Sequence, residues 1–179
     1  LWSGTRCRQS SQWVREWAHP RSAGVAGRGA DAIWGALALR VELAKGEARP
    51  LAGLSADLWK FFDLVTPELA VDLLVLLGLD NGVERALKDF YRQLRRILTL
   101  NGVSGHGWRS SQSVLQGCAW SNPLTVVLGV LWSLHVEQQA RVAAYTYADD
   151  WYVVADRFTL AGARRGEATE GASAGPATT

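Results

Sequence analysis

Apolar residues recur in two ways along the chain, at helical spacing in some segments and in short unbroken runs in others. Spacing of three and four residues over residues 31–45 predicts a helix that begins near Asp31 and ends at Gly46. The apolar run 51–56 predicts a strand. A proline in the first turn predicts two further helices, one over residues 67–77 and one from residue 122 to about residue 137. The pattern therefore predicts a mixed α and β domain.

A further helix is predicted from residue 81 onward, with one apolar stripe formed by Val83, Leu87, Phe90, Leu94 and Ile97. Its polar side is basic, because residues 82–109 carry six Lys or Arg and two Asp or Glu, a net charge of six minus two, or +4. Such a face is simply solvated in many helices and binds nucleic acid in others. Asn101-Gly102 then predicts a type I′ hairpin turn after the apolar residues 98–100.

The last apolar segments flank two adjacent carboxylates. Residues 143–146 and 151–155 are rich in β-branched and aromatic residues and predict two strands, joined at Tyr147-Ala148-Asp149-Asp150. Neighbouring aspartates repel each other, and burying them is costly unless a cation neutralises them. Aspartate also caps ordinary surface turns, so the pair alone leaves both a plain turn and a divalent metal site open.

A third carboxylate changes this balance. Asp57 directly follows the predicted strand 51–56. At the end of a strand, a side chain can be presented to a ligand while the preceding residues anchor the strand in the core. Asp57 would then meet the Asp149-Asp150 hairpin across one sheet. Three converging carboxylates favour Mg²⁺, a hard cation that prefers oxygen ligands.

Composition limits the classes of function. The 179 residues, 48% of them hydrophobic and 20% charged, suffice for one domain with a sizeable core. The net charge of +2 means that any nucleic-acid binding depends on local clusters of charge. Cys7 and Cys118 lie far apart and have no metal-ligand spacing, so they indicate neither a zinc site nor a disulfide framework. They favour a reducing, intracellular setting, in the nucleus or cytoplasm. The most apolar stretch, residues 124–134, is too short to span a bilayer, and no signal peptide opens the chain, so neither membrane association nor secretion is expected.

Three segments in order resemble motifs A, B and C of the reverse transcriptase palm. Residues 57–63, an aspartate followed by Lys-Phe-Phe-Asp, resemble motif A. Gln116-Gly117-Cys118, with Ser121 downstream, is similar to the motif B pattern of non-LTR elements and group II introns, and residues 147–150 match motif C. Residues 27–33 are similar to the segment that precedes motif A in non-LTR enzymes. The resemblance covers roughly residues 25–156.

The resemblance implies RNA-directed DNA polymerisation, in which a primer 3′-hydroxyl attacks the α-phosphate of a dNTP on an RNA template. Asp57, Asp149 and Asp150 would be the catalytic residues and would bind two Mg²⁺ ions, or Mn²⁺ in their place. Phe62 would stand under the sugar of the incoming nucleotide and clash with a 2′-hydroxyl, which selects dNTPs.

Other positions are assigned to the nucleotide and the nucleic acid by the same resemblance. Backbone amides near Lys60 and Phe61 would hold the triphosphate. Gln116 and Gly117 would lie along the nucleotide and template, where a small residue permits close approach. The positions that would contact template or primer are Arg28, Arg109 and Tyr147.

The chain also departs from the family. Ala119 stands where motif B has proline, and Pro123 instead lies in the first turn of the next helix. The chain begins at Leu1 and has no methionine, which predicts a fragment of a longer protein. The fingers strands, motif D, the primer grip and the thumb of a reverse transcriptase are not found in these residues, so we expect this chain alone to be inactive.

Together these observations predict an α+β polymerase palm, with a small antiparallel sheet that bears the catalytic aspartates and with helices packed on one face. Residues 1–30 would be a partial fingers segment or connector, residues 31–156 the palm, and residues 157–179 a disordered or non-homologous tail. The expected partners are an RNA template, a DNA primer, dNTPs and the missing fingers and thumb segments of a retroelement polyprotein. The alternative function is a palm remnant that binds RNA or a protein without catalysis, through the basic residues 85–109. An RNA-dependent RNA polymerase is disfavoured by Phe62 and Ala148.

Overall fold

A computed structural model describes residues 2–156 of the chain. The described residues form seven helices and five strands. The helices are α1 (Trp2–Gln9), α2 (Ser11–Trp17), α3 (Ala30–Gly46), α4 (Phe61–Leu64), α5 (Pro67–Leu76), α6 (Asn81–Gln93) and α7 (Ser121–Gln139). The strands are β1 (Leu51–Asp57), β2 (Thr99–Leu100), β3 (Val103–Ser104), β4 (Ala143–Tyr147) and β5 (Asp150–Asp156).

Three strands form one antiparallel sheet in the order β1-β5-β4, with β5 in the centre. At one edge of the sheet, Asp57 of β1 lies opposite Asp150 of β5, and Asp150 also lies opposite Tyr147 of β4. The predicted fold class, α+β with a small antiparallel sheet, is confirmed.

Helices cover both faces of this sheet, whereas the sequence pattern predicts helices on one face. On one face, Ile33 of α3 packs with Ala143 and Tyr145 of β4. On the other face, the ring centroid of Trp132 in α7 lies 4.6 Å from that of Trp151 in β5. Both faces are covered because residues 143–146 of β4 are all buried and successive strand residues point to opposite faces.

The largest apolar core is formed by α5, α6 and α7. Its most deeply buried large side chains include Leu74, Trp120 and Leu124. Helices α1 and α2 pack against this core, and the indole nitrogen of Trp13 donates a hydrogen bond to the carbonyl oxygen of Leu77 (2.8 Å). The segment before residue 30 therefore shares a core with the following helices. The domain boundaries proposed from the sequence stay predictions.

Helix α6 differs from its predicted stripe. Asp80 caps the helix by accepting hydrogen bonds from the amides of Gly82 and Val83, as a typical N-cap does. The buried residues then repeat at intervals of four and end with Tyr91, so Phe90 is 42% exposed. The helix ends at Gln93, and Ile97, 58% exposed, lies beyond it. Beyond the helix, the backbone of Arg96 pairs with that of Trp108 in two hydrogen bonds.

The predicted hairpin after α6 is confirmed. Asn101 and Gly102 both have positive φ angles, 51° and 80°, as a type I′ turn requires. The turn joins β2 to β3. Within residues 2–156, no helix is both long enough and apolar enough to cross a membrane. The predicted tail, residues 157–179, lies outside the described residues.

Candidate functional site

The tip of the β4–β5 hairpin presents the two adjacent aspartates. Strand β4 ends at Tyr147 and β5 begins at Asp150, so Ala148 and Asp149 form the turn. Ala148 adopts a left-handed φ of 48°, and its carbonyl oxygen accepts a hydrogen bond from the indole nitrogen of Trp151 (2.9 Å). A side chain of β5 thus stabilises the turn. The predicted order of strand, turn and strand is confirmed.

Asp57 reaches the same edge of the sheet from β1. It lies opposite Asp150, and the amide of the following residue, Leu58, donates to the carbonyl oxygen of Asp149 (3.0 Å). The pairing of β1 with β5 therefore continues as far as the hairpin turn. Asp57 is exposed, while Asp149 and Asp150 are half-buried. Residues almost a hundred positions apart in the chain are brought to one strand edge.

The three carboxylates repel one another. Partial burial is the main cause that raises the pKa of Asp150, and the charges of Asp149 and Asp57 raise it further. Placing like charges this close costs free energy in the folded state. A cation at this edge would offset that cost.

The three carboxylates do not form a metal-binding cluster in this arrangement. Carboxylate oxygens are the donors that Mg²⁺ prefers, so the residue types suit that ion. Among residues 2–156, however, no three His, Cys, Asp or Glu side chains are gathered closely enough to hold a metal ion. The strand register brings the backbones together, and the side chains would have to rotate to share one ion.

The segment after Asp57 places the predicted nucleotide-contacting residues beside the hairpin. Lys60 adopts a left-handed φ of 50°, and its ammonium lies 4.6 Å from the ring centroid of Trp59. The amide of Phe61 donates to the carbonyl oxygen of Leu58 (3.1 Å). This amide is therefore engaged within the turn, and the expectation that it is free to hold a triphosphate is not met in this arrangement.

Phe62 and Phe61 contact different parts of the fold. Phe62 is half-buried against the main core, and its carbonyl oxygen accepts a hydrogen bond from the amide of Val114 (2.8 Å). The Phe61 ring instead contacts the hairpin, with its centroid 5.7 Å from that of Trp151. Trp151 thus joins the segment after Asp57 to the β4–β5 hairpin, a contact that its place inside an apolar run does not indicate.

Gln116 and Gly117 lie in a turn that hydrogen bonds connect to the segment after Asp57. The amide of Cys118 donates to the carbonyl oxygen of Leu115 (3.1 Å) and closes the turn. Gly117 has a φ of 81°, and a Cβ atom there would meet nothing within 4 Å. Just upstream, the Ser113 hydroxyl donates to the carboxylate of Asp63 (3.2 Å). The turn is open on its outer side, as close approach of a ligand strand would require.

The residues expected to contact template or primer differ in exposure. Arg28 is half-buried and donates to the carbonyl oxygen of His19 (2.7 Å), and burial lowers its pKa. Its guanidinium thus has a structural partner. Arg109 is exposed and lines a cavity of about 270 Å³ that also includes Arg92. Tyr147 is 37% exposed beside the hairpin tip.

Two of the six cations in the basic segment 85–109 pair with acidic side chains within the fold. The Lys88 ammonium pairs with the carboxylates of Asp72 (2.6 Å) and Glu84 (2.8 Å). Arg92 pairs with Glu68 (2.6 Å). These contacts occupy two of the six cations, whereas Arg96 donates to the carbonyl oxygen of Ser113 (3.3 Å). They therefore do not remove the alternative in which this face binds RNA without catalysis.

Sequence reasoning missed the residues that hold β4 in place. The hydroxyls of Ser22 and Thr146 lie 2.7 Å apart in the core. Glu137, at the end of α7, accepts hydrogen bonds from the amide of Ala144 (2.8 Å) and from Arg21, and lies 3.3 Å from His19. Burial would raise the pKa of Glu137, but the Ala144 amide, Arg21 and His19 together lower it. No local motif signals this network, because its members come from distant segments.

A comparison with solved structures identifies the architecture. The chain is similar to apo telomerase from Candida tropicalis, truncated from its C-terminal domain, with a TM-score of 0.62 and 14% sequence identity. The fold is reverse-transcriptase-like. The match covers 95% of this chain and 37% of the telomerase chain, so the protein spans little more than a third of that relative. No protein family profile matches the sequence, and no curated protein matches it.

Proposed function

We propose that this chain is the catalytic palm portion of an RNA-directed DNA polymerase, of the type found in non-LTR retroelements and group II introns. The observation that supports it most is the meeting of Asp57 with Asp149 and Asp150 at one strand edge, in a chain with a reverse-transcriptase-like fold. Two strands that are far apart in sequence converge there, and each supplies carboxylates.

In the proposed reaction the three aspartates would hold two Mg²⁺ ions. When bound, these ions would activate the primer 3′-hydroxyl and stabilise the leaving oxygen of the triphosphate. The repulsion that raises the pKa of Asp150 supports this assignment, because a cation would relieve it. Phe62, packed against the core beneath this edge, would limit the space beside the sugar and exclude a ribonucleotide.

The proposed partners are an RNA template, a DNA primer and a dNTP. The open turn at Gly117 would let one strand of the duplex approach the backbone. Clamping the triphosphate and gripping the primer would fall to fingers and thumb segments in the rest of the protein. For this reason we expect the chain alone not to extend a primer.

Metal binding tests the site directly and does not depend on catalysis. We expect Mn²⁺, followed by electron paramagnetic resonance, to bind the chain and to be displaced by Mg²⁺. Asp57→Asn and Asp149→Asn should each weaken binding at least about tenfold, since each removes a charged oxygen ligand. Asp89→Asn, an exposed carboxylate on α6, is the matched control and should bind like the original chain. Equal binding by all four proteins would refute the proposed site.

Primer extension tests the activity. The purified chain with Mg²⁺, dNTPs and a primed RNA template should yield no product, and synthesis that Asp149→Asn abolishes would disprove the expected dependence on other segments. In a longer chain that extends primers, Phe62→Ala should admit ribonucleotides. Unchanged discrimination in that variant would exclude Phe62 as the residue that selects the sugar.

A further inference from the structure

The two cysteines, 111 positions apart in sequence, lie together in the fold. The Cys7 sulfur on α1 donates to the carbonyl oxygen of Ala119, at 3.0 Å, and Ala119 directly follows Cys118. From the other side, the Cys118 sulfur lies 3.8 Å from the hydroxyl of Ser3. Ser3 precedes Cys7 by four residues, so the two share one face of α1. Both contacts place that face of the helix against the backbone around Cys118.

Both cysteines are half-buried and line cavities at the surface of α1. Both are also unbridged. Cys118 lines a cavity of about 550 Å³ between α1 and α6, and Cys7 lines a second cavity of about 370 Å³ together with Ala119 and Pro123. Burial is the main cause that raises the pKa of Cys7, and the adjacent Cys118 thiol raises it further. The second cause is a further sign that the two groups are neighbours.

We propose that Cys7 and Cys118 form a reversible disulfide that ties α1 to the turn carrying Gln116 and Gly117. The oxidant would be hydrogen peroxide. One thiolate attacks the peroxide oxygen to give a sulfenic acid and releases water. The second thiolate then attacks that sulfur, the S–S bond forms and a second water leaves, so that two thiols and one peroxide give one disulfide and two waters. A dithiol reductant reverses the reaction.

The bridge would restrict a turn that belongs to the candidate site. Without it, the turn is closed by the hydrogen bond between Cys118 and Leu115, and Gly117 adds freedom. A covalent link from Cys118 to a packed helix would limit the motion of Gln116 and Gly117. This inference concerns the redox chemistry of the fold and stands whether or not the chain belongs to a polymerase.

The test is oxidation of the folded chain by hydrogen peroxide, followed by intact mass and peptide mapping without reductant. We expect a monomer that has lost two hydrogens, a peptide that joins Cys7 to Cys118, and full recovery of both thiols with dithiothreitol. Unreacted thiols, dimers linked between chains, or sulfinic acids in place of the bridge would overturn the proposal.

Moving the thiol along α1 separates proximity in the fold from general reactivity. Ser3→Cys combined with Cys7→Ser keeps the thiol on the same face, and it should still form a bridge with Cys118. Thr5→Cys combined with Cys7→Ser turns the thiol away, and its bridge should form at least about tenfold more slowly, because the orientation is lost. Equal rates for the two double variants would show that the helix face does not direct the reaction. In denaturant the two should react alike.

Discussion

Gly129 on α7 offers a sensitive probe of how the β4–β5 hairpin is held. A Cβ atom added at Gly129 would lie 3.0 Å from the hydroxyl oxygen of Thr146 and 3.2 Å from its Cβ. Ordinary contacts between carbon atoms are about 3.5–4.0 Å. The close approach of α7 to β4 therefore depends on the missing side chain. We expect Gly129→Ala to destabilise the fold.

The magnitude follows from two opposing effects. Alanine in place of glycine favours a helix by about 1 kcal/mol. Overpacking of a tight core costs about 1–3 kcal/mol. Thr146 cannot easily yield, because its carbonyl oxygen accepts a hydrogen bond from Ala23 (2.8 Å) and its hydroxyl lies 2.7 Å from that of Ser22. The cost should therefore lie in the middle of its range, and the net loss should be about 1 kcal/mol.

Gly35 provides the matched control. It lies inside α3, and a Cβ atom there would meet nothing within 4 Å. Gly35→Ala should therefore raise the free energy of unfolding by up to about 1 kcal/mol, while Gly129→Ala lowers it. Urea denaturation followed by tryptophan fluorescence measures both. In a Thr146→Ala background the cost of Gly129→Ala should shrink, because two of the three atoms in contact are gone. If Gly129→Ala stabilised the protein as much as Gly35→Ala, the packing argument would be wrong.

Three further predictions concern the hairpin and its support. The pKa of Asp150 is raised in the folded state, so this carboxyl group favours folding at acidic pH. That contribution is lost as the pH rises from the ordinary pKa through the raised one. Asp150→Asn should flatten this part of the curve of stability against pH, measured by urea titration without divalent ions. Glu137→Ala should lower the free energy of unfolding by about 2 kcal/mol in urea denaturation, because it leaves the partners of a charged acceptor unpaired. Glu42→Ala, in an exposed ion pair, should lower it by less than about 0.5 kcal/mol. Equal losses would contradict the role of the Glu137 network. Ala148→Gly should stabilise the fold by about 0.5–1 kcal/mol, since glycine adopts the left-handed φ of this position without steric strain. Ala155→Gly, in the extended strand β5, should destabilise the fold. Calorimetric unfolding midpoints that move in the same direction for both variants would refute this.

Much of the secondary structure could be predicted because its causes are local. The proline in the first turn of α5, the Asn101-Gly102 turn and the paired apolar runs around Asp149 each act through neighbouring residues. Helix α6 shows the limit of this reasoning. Its apolar spacing also fits Phe90 and Ile97, and only packing in the core shared with α5 and α7 selects Tyr91.

The candidate site divides in the same way. Asp57 could be placed at a strand end and Asp149-Asp150 at a hairpin tip from local patterns, and the expectation that they share one strand edge is met in the structure. Sharing one ion depends on how the three side chains rotate, and the order of residues in the chain does not determine that rotation. The amide of Phe61 and the guanidinium of Arg28 were expected to be available for ligands, and both are engaged by backbone carbonyls.

Sequence order and local chemistry thus determine the helices, the turns and the carboxylates that this protein carries to its strand ends. The tertiary structure decides which of these groups meet. It puts helices on both faces of the sheet, brings α7 against Thr146 at Gly129, and sets Cys7 beside Ala119. The reason is physical. Turns and helices form through contacts between residues a few positions apart, whereas these meetings join residues from 17 positions apart (Gly129 and Thr146) to 112 positions apart (Cys7 and Ala119) and depend on how the whole core packs.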